Sequence, residues 1–244
     1  MAKKNKSFFK YALLIASCLV TLFVIPIWIT PSQAGVSFKP PVTSKPSPPD
    51  GSSTAGASRD AGSCAIGKAG KSDASIVKLL PKSNIGLTTK QRPSIMVYIP
   101  ATTAETGFFS IQDENFNHHY QTTLQLPESP GVMEIKLPAS APALSTDIRY
   151  QYSLAMICGE YLEPDSPLVS GWIQRVEAKG NAVNTKASIE LASKFANDGI
   201  WLDALSTLAE LKKSQPSDQF VNNSWQKLLN SVGLDEIAQQ PIVN

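Results

Sequence analysis

Tyr150-Gln151-Tyr152-Ser153-Leu154-Ala155-Met156-Ile157-Cys158 places a large apolar or aromatic side chain at every second position up to Met156. Successive side chains of a strand point to opposite faces, so the pattern predicts a strand with Tyr150, Tyr152, Leu154, Met156 and Cys158 on one face. The same period of two recurs on both sides. Ile95, Val97 and Ile99 alternate with Met96 and Tyr98, Phe109 and Ile111 with Ser110 and Gln112. Tyr120, Thr122, Leu124 and Leu126 line one face, as do Met133, Ile135 and Leu137, and a further run spans Trp172 to Glu177.

Turn signals separate these runs at Pro100-Ala101-Thr102, Asp113 to Asn117, Pro127 to Gly131, Pro138 to Pro142 and Pro164 to Pro167. Short strands at this spacing predict an antiparallel β-sandwich of immunoglobulin-like type over residues 61–178. Gly86-Leu87-Thr88 adds an edge strand, and Arg92-Pro93 marks a bend.

Beyond a connector at Ala178 to Asn184 the period lengthens to 3.6, giving an α-helical region over 184–240 and an α+β chain, β first and α second. Leu191, Ala192 and Phe195 share a helical face that Gly199 ends; Trp201, Ala204, Leu205, Leu208 and Leu211 share another, closed by Pro216. An offset of 34 aligns Leu191 with Trp225, Phe195 with Leu229, Gly199 with Gly233 and Ala204 with Ala238. That is the tetratricopeptide period, although Ser188 stands where its tryptophan belongs and the second repeat is truncated. An ordinary helical hairpin with a capping helix fits the same residues.

Residues 1–34 read as an address. Lys3, Lys4, Lys6 and Lys10 precede an apolar run from Tyr11 to Ile25, and Ser32-Gln33-Ala34 offers a cleavage site after Ala34. The competing reading is an uncleaved anchor, since Tyr11 to Ile29 is 19 residues long and just sufficient to span a bilayer. A lipobox reading at Ile15-Ala16-Ser17-Cys18 is weakened by the apolar residues that follow Cys18. Each option exports the remainder to the periplasm or cell surface, with the membrane touched only through residues 11–29 if they stay. Residues 35–60, rich in Pro, Ser and Gly, read as a disordered linker.

Of 22 basic and 20 acidic residues, removal of the leader leaves 18 and 20. That near-neutral balance lacks the clustered cations a nucleic-acid partner requires. Cys64 and Cys158 remain after the leader, and an even pair in an exported chain predicts a disulfide across 94 positions, with two buried thiols as the alternative.

No residue pattern carries a catalytic signature, so neither an enzyme nor a cofactor is expected. Gly62 to Ala69 has the glycines and Lys68 of a phosphate loop but Ala69 in place of the hydroxyl, while Gly70-Lys71-Ser72 lacks the first glycine. His118 and His119 fall on opposite faces of a strand and cannot share a metal without a bulge. Asp113 to Asn117 begins like a calcium loop, but His118 and Leu124 replace its glycine and glutamate, so it reads as a hairpin turn. Tyr98, Tyr150, Tyr152, Trp172, Trp201 and Trp225 are the residues from which an interaction face would be built, unless they fill the core.

Asn84 to Thr88, Arg92-Pro93, Val97 to Pro100, Asp113-Glu114, Tyr120 to Leu124, Pro130-Gly131, Leu137-Pro138, Tyr152 to Leu154, Ile157-Cys158, Gly171 to Val176 and Gly233 to Ala238 together resemble the cyanobacterial domain-of-unknown-function family 928. The resemblance implies a cyanobacterial source, export, a sandwich followed by helices, and a cysteine in the regions of Cys64 and Cys158. It supplies no activity. The expected function is a non-enzymatic protein-interaction or scaffold module of the cell envelope whose partner is another exported protein; the alternative is an envelope glycan-binding or glycan-processing module.

Overall fold

The computed structural model describes residues 35–41, 64, 75–178 and 186–243. The leader reading at 1–34, the linker from 42 to 60 and the two near-miss phosphate loops, apart from Cys64, lie outside those residues.

Each run with a period of two is a strand. The elements are β1 (Val77–Lys78), β2 (Ile85–Thr88), β3 (Ser94–Ile99), β4 (Thr106–Asp113), β5 (His118–Gln125), β6 (Gly131–Lys136), β7 (Arg149–Ile157) and β8 (Leu168–Arg175). Four helices follow, α1 (Ile189–Asn197), α2 (Trp201–Ser214), α3 (Gln219–Asn230) and α4 (Asp235–Ala238), and then a last short strand, β9 (Ile242–Val243). In β7 the alternation works as written: Tyr150, Tyr152, Leu154 and Met156 are buried while Gln151 and Ser153 are half-buried.

The strands form a five-stranded sheet in the order β2-β8-β7-β4-β5 and a four-stranded sheet in the order β1-β3-β6-β9. An all-antiparallel arrangement does not form. β2 runs parallel to β8, with Ile85 opposite Trp172 and Thr88 opposite Arg175, and β9 runs parallel to β6, so both sheets are mixed. The reason is connectivity: hairpins join neighbours antiparallel, whereas β2 and β9 reach their partners over long crossovers that local turn signals do not encode. The expected edge strand at Gly86-Leu87-Thr88 is β2, at the rim of its sheet.

Helix ends follow from local chemistry. Ser188 caps α1: its Oγ accepts the Leu191 N–H at 3.1 Å. Gly199 at φ +77° lets the chain reverse between α1 and α2, and Asp218 caps α3 through the Phe220 and Val221 N–H groups. From Trp201 to Ala209 every residue of α2 is buried, including Asp203, Ser206 and Thr207. A helix buried on all sides is a central one, and α1, α3, β2 and β3 surround α2.

Several contacts fasten α2 to the sheets and the residues beside them. The Trp201 indole N–H donates to the Leu79 carbonyl at 2.8 Å. Leu202 lies so near Gly86 that a Cβ there would come within 2.8 Å of the leucine Cγ, which requires glycine at that place. At the other end Lys213 meets Glu134 of β6 at 2.8 Å. Burial pushes the Glu134 carboxyl upward, but hydrogen bonds from Lys213 and Ser94 and the charges of Lys213 and Lys136 outweigh it and hold the group below its ordinary value.

The linker expectation fails at residues 35–41. Val36 and Phe38 are buried, the Phe38 ring meets Trp201 edge-on at 5.0 Å, and the Lys39 N–H donates to the Ala196 carbonyl at 3.0 Å. Composition averaged over the prolines hides two alternating apolar residues that seat the segment against the helices.

Candidate interaction site

The six aromatics singled out for an interaction face are interior. Tyr98, Tyr150, Tyr152, Trp172, Trp201 and Trp225 all belong to one hydrophobic cluster, none more than 8% exposed, so they give the fold its core and present nothing outward. Large rings bury the most apolar area, which is why strand and helix faces turn them inward. Burial also pushes the Tyr152 phenol well above its ordinary value, keeping it protonated.

Cys64 and Cys158 stand at disulfide distance, with 5.1 Å between their Cα atoms. The Cys64 carbonyl accepts from the Thr103 N–H and the Thr102 hydroxyl, each at 2.8 Å, so the pair links the end of β7 to the turn after β3.

Immediately beyond Cys158 the chain makes its most exposed apolar feature among the described residues. Glu160, Tyr161, Leu162, Glu163 and Asp165 are all exposed, with Tyr161 at 71% and Leu162 at 47%. The loop is shaped from within: the Glu163 N–H donates to Ser166 Oγ at 3.0 Å, the Ser166 N–H to the Glu163 carbonyl at 3.1 Å and the Met156 N–H to the Pro167 carbonyl at 2.9 Å. The Tyr161 hydroxyl donates to Glu160 at 3.2 Å. A tyrosine and a leucine held in water between three carboxylates can contact a partner through apolar area and opposite charge together. Along the sequence Pro164 to Pro167 reads as a turn, and the signal that Tyr161 and Leu162 offer is that of two large residues just beyond a strand, out of its period.

The opposite end of the five-stranded sheet carries Phe116, 70% exposed at φ +64° in the hairpin between β4 and β5. Asp113 organises this turn by accepting the Asn115 and Asn117 N–H groups at 2.9 Å each. Hydrogen bonds from the Asn117 side chain and backbone hold the Asp113 carboxyl below its ordinary value. His118 is exposed, whereas His119 packs its ring on Tyr150 with centroids 4.7 Å apart. Among the described residues no three of the His, Cys, Asp and Glu side chains gather as a metal site.

Among the described residues one carboxylate is fully buried. Asp203 accepts from the Thr88 hydroxyl at 2.6 Å, the Thr89 N–H at 2.9 Å and the Thr89 hydroxyl, which ties the end of β2 to the first turn of α2. Its place in that turn also suits the positive end of the helix. Every lone pair it uses serves the joint, so its chemistry is structural. Asp203→Ala is expected to cost about 3 kcal/mol, because it strands buried donors as well as removing bonds to a charge. Urea unfolding measures this, and a loss below about 1 kcal/mol, the worth of one ordinary hydrogen bond, would show that the joint does not depend on the carboxylate.

A cleft of about 170 Å³ lies between Leu87, Thr89, Val176, Phe195 and Ile200. Small-molecule pockets measure roughly 300 Å³ or more, so the cleft is scaled to a single side chain.

Comparison with curated proteins and with solved structures finds no match. Residues 54–242, which take in Cys64, Cys158, β1 to β8, α1 to α4 and the first residue of β9, match the family described as Domain of Unknown Function (DUF928), and the chain belongs to that family.

Proposed function

We propose that the chain is a non-enzymatic interaction module of the cell envelope, exported by its N-terminal segment, in which the two sheets face each other as a sandwich and serve as a rigid platform. The observation that carries this reading is the Tyr161-Leu162 loop, presented between Glu160 and Glu163 and footed on Cys158. A loop whose base is covalently tied gives up little conformational freedom when it binds, so its contact energy goes into affinity. Its acidic rim selects a partner with basic residues around an apolar centre.

A glycan reading draws on the same loop, since an exposed tyrosine ring beside a carboxylate also suits a sugar face and its hydroxyls. One experiment separates the two. A photo-crosslinking phenylalanine analogue at Tyr161, activated in intact cells, is expected to capture protein, and the same analogue at exposed Glu210 of α2 to capture far less. Recovery of glycan alone moves the function to the second reading, and equal capture from both positions removes the loop from either.

A further inference from the structure

We infer that the chain forms a two-fold dimer by pairing β5 with β5 of a second copy, joining the two five-stranded sheets edge to edge. This does not rest on the Tyr161 loop, which lies beyond the opposite end of the strands.

The edges of the two sheets are not alike. In the smaller sheet they are β1 and β9, two residues each, too short to template anything. In the larger sheet β2 has four residues and packs its face against α2 through Leu202. β5 closes the other side with eight residues, and among the described residues no strand lies beyond it. Natural edges of that length are defended by charge, proline or a bulge. His118–Gln125 contains no Asp, Glu, Lys, Arg or Pro, and the register irregularity beside Ile111 and Gln112 is confined to its His118 end.

The side chains say what fits there. Thr122 lies opposite Phe109 and Tyr120 opposite Ile111, both fully buried, so Tyr120, Thr122 and Leu124 face inward while Gln121, Thr123 and Gln125 face solvent. Tyr120 and Leu124 pack against the core yet remain only partly buried, at an edge beyond which no strand stands among the described residues. An acidic or basic peptide would find no charge to pair with along this strand, whereas another uncharged strand meets it without like-charge repulsion. A second copy also supplies the missing apolar neighbours.

The register follows from the pleat. Opposed residues must share a face, which restricts antiparallel self-pairing to registers centred on a residue. Centring on Thr122 pairs 119–125 with 125–119, the same seven-residue overlap that centring on Gln121 gives, and unlike that register it keeps the irregular His118 out of the pairing. It sets Tyr120 against Leu124 of the second copy twice, Gln121 against Thr123, and Thr122 against itself.

The test uses the full chain with Cys18→Ser, so that Cys64 and Cys158 remain paired with each other. Thr122→Cys places two thiols on the axis, where Cα atoms of opposed residues come about 4.5 to 5.5 Å apart, within the span of a disulfide. Gln125→Cys leaves its two thiols about 20 Å apart at the usual strand rise. Mild oxidation followed by non-reducing electrophoresis should give the covalent dimer from Thr122→Cys in at least about tenfold excess over Gln125→Cys. In the Thr122→Cys chain, Gln121→Lys with Thr123→Lys sets lysine against lysine and should lower the yield about tenfold, whereas Gln121→Lys with Thr123→Glu sets each lysine against a glutamate and should preserve it. Both positions are exposed in the single chain, so the doubly substituted proteins should fold alike. Absence of the Thr122→Cys dimer, equal yields from the two cysteine positions, or equal yields from the two charged variants would each overturn the inference.

Discussion

A chain ended after Ala178 is expected to lose its cooperative unfolding transition. The helices do not merely follow the strands; they are the third wall of the core. Removing them takes Trp201 from the Leu79 carbonyl, Leu202 from Gly86, Asp203 from Thr88 and Thr89, and β9 from the edge of β6. It also uncovers the face of β3 and β6 that carries Met96, opposite Glu134, the residue Lys213 of α2 reaches. Fully burying each large apolar side chain contributes about 2 kcal/mol, and Trp201, Leu202, Leu205, Leu208 and their sheet neighbours together approach the whole stability of an ordinary domain. Urea titration followed by circular dichroism and tryptophan fluorescence gives the answer. A sharp transition within about 2 kcal/mol of the intact chain would mean that the strands hold a sufficient core without the helices.

Replacing Cys158 by serine should be the most costly single substitution considered. A bridge over 94 positions restricts the unfolded chain strongly, and the chain-entropy argument puts its contribution at about 4 to 5 kcal/mol. The carbonyl of Cys64 is also held by Thr102 and Thr103, so loss of the bridge leaves those two hydrogen bonds to keep Cys64 in place. The serine variant should melt well below the native chain under oxidising conditions, and the native chain with reductant should fall to the same point. Identical melting temperatures in all conditions would show that Cys64 and Cys158 contribute nothing as a pair.

Much of the architecture can be read along the chain because it is local. β7 is spelled out by the alternation from Tyr150 to Met156, and the α1–α2 reversal by Gly199. The parallel strands could not be read, because Ile85–Thr88 finds β8 only in three dimensions and Ile242–Val243 is too short to show any period. Nor could periodicity tell which aromatics face out. Tyr98 and Trp172 sit on strands whose two faces are both covered, so alternation there does not separate core from surface. Tyr161 and Phe116, which are exposed, lie in turns where no period applies. Asp203 looks like an ordinary acid at a helix start; only burial on every side of α2 turns it into a latch.

The late arrival of β9 has a consequence for how the chain comes to be folded. Synthesis proceeds from the N-terminus, so β6 is complete long before Ile242 and Val243 exist to pair with Val132 and Met133, and β3 waits as long for α2. Contacts that join segments far apart in sequence slow folding, because loop-closure entropy must be met before they reward it. During that delay the nascent chain holds unpaired strand edges and uncovered apolar faces, so it needs protection from aggregation until the helices and β9 are made.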